Sequence, residues 1–156
     1  MTAPTLIFGW GNPSRGDDAL GPALLDAVES LRDAHPEWGR VELLTDFQLQ
    51  VEHALDLDGR DRVLFVDASA SALDAPFSVR RLQPGRDSSF TSHALSPQGV
   101  MHVYEEIKAK APPPCDLLAI AGDAFELGTP LSAGARANLD AALAWTCAWL
   151  SGGNGE

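Results

Sequence analysis

The chain has 156 residues, room for one domain with an ordinary core. Hydrophobic residues make up 45% and charged ones 21%, a soluble globular balance, and 22 acidic against 11 basic side chains leave a net charge of −11. With only Lys108 and Lys110 as lysines, and Arg80-Arg81 with Arg86 the nearest thing to a basic patch, the composition argues against nucleic acid or an anionic membrane as partner.

No charged segment precedes a long apolar stretch at the N-terminus, so a secretory leader is not expected. No apolar run approaches the roughly 18 residues of a membrane span. Cys115 and Cys147 lie far apart and lack a C-x-x-C partner, which fits reduced thiols in a cytoplasmic protein. A monomer is expected.

In chain order, Thr5–Trp10 is apolar and strand-like, and a helix with Leu24, Val28 and Leu31 at helical spacing follows, with Pro22 tolerated in its first turn. Val41–Thr45 reads as the second strand and Val51–Leu57 as a short helix closed by Asp58-Gly59. Val63-Leu64-Phe65-Val66 is the most hydrophobic run, which predicts a central strand buried on both faces. Phe77–Leu82, carrying Arg80-Arg81, fits an edge strand, with an antiparallel direction open to it. Ser96-Pro97 starts a helix whose buried stripe should be Val100, Val103, Tyr104 and Ile107; Pro112-Pro113-Pro114 ends it. Asp116–Ala121 is a further strand and Ser132–Leu150 a long final helix, with Cys147 as filler on its apolar face. The alternation predicts a single α/β domain over 1–151, a mostly parallel sheet of about five strands covered by helices on both faces. Residues 152–156 should fray.

The chemistry concentrates where the first strand turns into the first helix, at Gly9-Trp10-Gly11-Asn12-Pro13-Ser14-Arg15-Gly16-Asp17-Asp18. Glycines at such a turn usually cradle phosphate on backbone N–H groups. Here two aspartates stand where the anion would rest, and Ser14 replaces the third glycine of a dinucleotide fingerprint. The turn therefore repels pyrophosphate and attracts a cation. Ligands of an open parallel sheet gather outside the carboxyl ends of its strands. Asp18 and Asp67, at the end of Val63–Val66, fall there, and His93 precedes the Ser96 cap by three residues. If the first and third strands are neighbours, as in flavodoxin-like order, two carboxylates and one imidazole form an open site suited to zinc, nickel or another divalent ion. The plainer alternative for Asp17 and Asp18 is a helix cap with favourable dipole electrostatics. His35, His53 and His102 read as solvated or packing residues. Neither a G-x-S-x-G elbow nor a zincin helix is present.

Gly9-x-Gly11-Asn12-x-x-x-x-Asp17-Asp18-x-x-Gly21, Val66-Asp67-Ala68, Ser92-His93-Ala94-Leu95-Ser96-Pro97 and Gly122-Asp123-Ala124-Phe125-Glu126-Leu127-Gly128 with Leu131-Ser132 together resemble the hydrogenase maturation proteases. That family processes the large subunit of nickel–iron hydrogenases. The resemblance implies a three-layer, phosphorylase/hydrolase-like α/β fold and a site of Asp18, Asp67 and His93, both metal-engaging and catalytic. Many relatives carry glutamate where this chain has Asp18, and glycine where it has Ala19. It implies removal of a C-terminal extension from the large-subunit precursor once nickel is in place, the nickel being presented by that precursor. An aspartic-type label is used for the family, but proton sharing between two carboxylates does not follow for a metal-bridged pair. Gly9, Gly11, Asn12 and Asp17 would shape the turn, and Gln48 after the second strand could line the cleft. A non-enzymatic nickel escort using the same ligands is the alternative, and a flavodoxin- or Rossmann-type nucleotide module a third, weaker one.

Overall fold

The computed structural model describes residues 2–70, 74–86 and 95–153. Among them a sheet of five strands runs in the order β2-β1-β3-β5-β4. The strands β1 (Thr5–Trp10), β2 (Val41–Asp46), β3 (Arg62–Ser69) and β5 (Cys115–Ala121) are parallel, and β4 (Phe77–Arg81) closes one edge antiparallel to β5. The β1–β3 adjacency expected from the sequence is present, with Gly9 opposite Val66. It brings the carboxyl ends of both strands to one rim.

Side chains alternate between the two faces of a strand. In β3, Val63 and Phe65 join Leu6 and Phe8 of β1 in one core, with the 3-10 turn Val51–Leu57 and α2 (Pro97–Lys108). Leu64 and Val66 join Ile7 in the other core, with α1 (Leu20–Leu31) and α3 (Ala133–Ala148). All four residues of the Val63–Val66 run are fully buried, at roughly 1.5–3 kcal/mol of favourable burial for each such side chain. By the same alternation Asp67 follows Val63 and Phe65 onto the α2 face. The start of α2 is fixed on that face: Ser96 caps the helix, its Oγ accepting from Gly99 N at 3.0 Å, and Leu95 N donates to Leu49 O at 3.1 Å.

The stripe of α2 is Val100, Met101 and Tyr104, whereas Ile107, expected inside, is 53% exposed. The last turn of α2 is exposed from Glu105 to Lys108. There the Tyr104 hydroxyl donates to Asp58 at 2.8 Å, and Lys108 Nζ lies 3.4 Å from the same carboxylate. At the amino end of β3 Arg62 stacks on Trp149, 4.0 Å from the ring centroid, and donates to the carbonyls of Trp149 (2.7 Å) and Leu150 (3.3 Å). A π turn, Trp149–Gly153, follows α3 and is broken at Gly152, whose φ of 100° is not helical; residues 154–156 of the expected frayed tail lie outside the described residues. Cys115 and Cys147 are free thiols. Among the described residues no helix is long and apolar enough to cross a membrane.

Candidate functional site

The loop leaving β1 is built around Asn12. Its side-chain oxygen accepts from Ser14 N (2.9 Å), its carbonyl from Arg15 N (3.0 Å), and its own N–H donates to Asp18 Oδ2 at 2.7 Å. The chain can fold back this tightly because Gly11 has φ 143°, a conformation disfavoured for any residue with a Cβ, and a Cβ there would press into the Asp18 carbonyl oxygen. Gly11 N also donates to Asp46 O at 3.0 Å, tying the loop to the end of β2. Behind it, Gly9 and Gly21 form the two sides of one close approach: a Cβ on Gly21 would stand 2.7 Å from Trp10 O and 3.0 Å from Val66 O. The first turn of α1 is thereby seated on the ends of β1 and β3.

The two aspartates of the turn have separate surroundings, and neither caps α1, whose N-cap position is Ala19 without a side-chain bond. Asp17 is 0% exposed. Its carboxylate accepts from Asp123 N (2.6 Å), Ala124 N (3.0 Å), Ser132 N (2.8 Å) and Ser132 Oγ (2.8 Å). Burial alone would raise its pKa, but these hydrogen bonds outweigh burial and hold it below the ordinary carboxylate value. Asp18 is half-buried and turned the other way, toward the Asn12 amide.

Asp67 extends from the carboxyl end of β3. Burial pushes its pKa up to about 7; the Ala68 amide opposes that rise and the charge of Asp18 adds to it. The two carboxylates therefore feel each other across the rim. Neither forms an ion pair with Arg or Lys among the described residues. Such a pair is relieved either by a proton or by a cation.

Gln48 sits half-buried on the bend after β2, next to Leu49, whose carbonyl receives Leu95. His93 lies outside the described residues. Among the described residues no three His, Cys, Asp or Glu side chains are arranged to hold a metal. His53 has both nitrogens engaged: Nδ1 accepts from Gln50 N (2.8 Å), so Nε2 carries the proton facing Asp46 Oδ2 at 3.1 Å. His35 pairs with Glu37 at 2.8 Å, and His102 lies 3.6 Å from Glu106 on α2.

Sequence reasoning placed Asp17 in the turn but missed what it holds, because its partners lie 106 to 115 positions away. It also missed the Asp46–His53 bond. The Gln50-x-x-His53 spacing at the start of the 51–57 turn was the available signal, since it matches a reciprocal N-terminal cap.

No protein-family model matches the chain, and no curated protein matches it in sequence. Solved structures do. The hydrogenase maturating endopeptidase HybD from E. coli superposes with a TM-score of 0.69 at 23% identity, covering 94% of this chain and 91% of that one. A [NiFe] hydrogenase maturation protease HycI from Thermococcus kodakarensis KOD1 gives 0.67 at 19%, covering 96% and 93%. The solution structure of an endopeptidase from Escherichia coli gives 0.68 at 24%, covering 94% and 91%. The fold is shared along nearly the whole length, and two of these structures bear the name of the family that the sequence motifs resemble.

Proposed function

We propose that the protein is a hydrogenase maturation endopeptidase. It removes a C-terminal extension from the large-subunit precursor of a nickel–iron hydrogenase, and it recognises the nickel already seated in that precursor. The observation carrying this reading is the pairing of Asp18 and Asp67 at the rim of β1 and β3, without a basic partner among the described residues and with Asp67 holding its proton to about 7. Approach of a divalent ion expels that proton and neutralises the pair. His93, three positions in sequence before the Ser96 cap of α2, supplies the third, borderline ligand.

Three ligands leave coordination positions for groups of the precursor, so the nickel is engaged where it sits and need not be extracted. The substrate's nickel then fixes the scissile peptide against the rim. The aspartates act as ionised ligands, and the reaction does not run through a shared proton. In vitro the same donors are open to zinc or another divalent ion. An acidic surface of net charge −11 favours a metal-loaded partner over nucleic acid.

The test is incubation with nickel-loaded and nickel-free precursor, followed by intact mass of all products. Shortening of the loaded precursor alone is expected. Stoichiometric association with no change in mass would replace the peptidase by an escort.

A further inference from the structure

We infer that Asp17 is a positioning residue: its buried carboxylate ties the 122–132 loop to the turn that aims Asp18, so this distant loop helps set where Asp18 stands. The inference concerns a motif, Gly122–Ser132, to which the proposed function gives no task.

Two strips of chain meet at this point. On one side is the 14–18 segment and on the other the loop between β5 and α3. Gly128 N donates to Ser14 O (2.6 Å), Gly16 N to Thr129 O (3.0 Å) and Asp17 N to Ala124 O (2.7 Å). The Asp17 side chain completes the junction with its four acceptor contacts, two of them to Ser132, the N-cap residue of α3. A fully buried carboxylate with four donors and no cation among them is stable only while those donors stay in place. Asp17 and Asp18 are consecutive members of one 3-10 turn, Gly16–Ala19. Rotating that turn moves both at once. With Asp17 fixed, Asp18 is delivered to the Asn12 amide and the rim. If Asp17 is released, the turn has lost its anchor on one side.

The Asn12 amide is a reporter of this placement, because its hydrogen bond ends on Asp18 Oδ2. The experiment compares wild type, Asp17→Asn, Ser132→Ala and a control, Val28→Ala, a core cavity in α1 that lowers thermal stability without touching the junction. All are studied at a temperature where near-UV circular dichroism shows them folded. Amide exchange at Asn12 should accelerate by about tenfold or more in Asp17→Asn, by less in Ser132→Ala, and by no more than global stability dictates in Val28→Ala. Ser132→Ala keeps three of the four contacts, so it serves if Asp17→Asn does not fold.

A second readout rests on the proposed function. Cleavage of nickel-loaded precursor by Asp17→Asn should lose about tenfold or more in kcat with KM changed by less than about twofold, while Val28→Ala keeps both. Unchanged Asn12 exchange in Asp17→Asn overturns the inference, as does wild-type kcat in that variant. Accelerated Asn12 exchange alongside a wild type that cuts nothing leaves the coupling standing and removes the proposed function.

Discussion

Asp67→Asn should change the pH dependence of stability in a defined direction. The carboxyl of Asp67 is raised from the ordinary 3.8 to about 7, chiefly by burial. In the unfolded chain it ionises near its ordinary value, so between the two the native state binds a proton that the unfolded state has lost. Stability from this group is thus complete below about pH 4 and is lost as pH rises, until the native carboxyl has also ionised above about 7. At about 1.4 kcal/mol per pH unit, the span amounts to about 4 kcal/mol. Asparagine has the same shape and never ionises. In the absence of divalent ions, Asp67→Asn should therefore approach wild type in stability near pH 4 and exceed it by up to about 4 kcal/mol at pH 8. Urea unfolding followed by the fluorescence of the four tryptophans, at pH steps from about 4 to 8.5, measures the difference directly. Contributions from groups remote from Asp67 cancel in the comparison. A wild-type minus mutant difference that stays flat across the range would refute the reasoning.

The same proton gives an expectation for metal: divalent-ion affinity, measured by calorimetry, should fall about tenfold per unit as pH drops below 7, since Asp67 must be deprotonated to bind. Gly11→Ala should cost at least about 2 kcal/mol in thermal unfolding, because the added Cβ meets the Asp18 carbonyl in a strained backbone conformation; stability within a few tenths of wild type would contradict the packing of the turn. Arg62→Ala should cost about 2–3 kcal/mol in urea unfolding, the combined loss of two charge-assisted bonds at the end of α3 and the stack on Trp149. Arg62→Lys should recover only part, since an ammonium cannot make the same planar fork.

Much of the scaffold was legible in the sequence because local patterns decided it. The Val63–Val66 run could only be a strand buried on both faces, and Ser96-Pro97 bears both marks of a helix start, which the Ser96–Gly99 bond makes visible. Arg80-Arg81 signalled an edge, and β4 lies there. Ile107 misled because helical periodicity marks a face and not how far along the helix that face is covered; its side chain is exposed. For the site, the adjacency of β1 and β3 was readable, and with it the rim where the charge of Asp18 reaches Asp67. The separation of Asp17 from Asp18 was not, because it depends on donors at Asp123, Ala124 and Ser132. Nothing near Asp17 in sequence reveals them. The Arg62 cap of α3 is hidden for the same reason: its partners, Trp149 and Leu150, lie 87 and 88 positions away.

The most direct test of nickel recognition by Asp18, Asp67 and His93 is the affinity of the protein for nickel-loaded against nickel-free precursor, repeated with Asp18→Ala, Asp67→Ala and His93→Ala. The account predicts that wild type prefers the loaded form by about tenfold or more and that each substitution erases the preference while leaving binding of the nickel-free form intact. Equal affinity of wild type for the two forms, or an undiminished preference in any of the three variants, would contradict it.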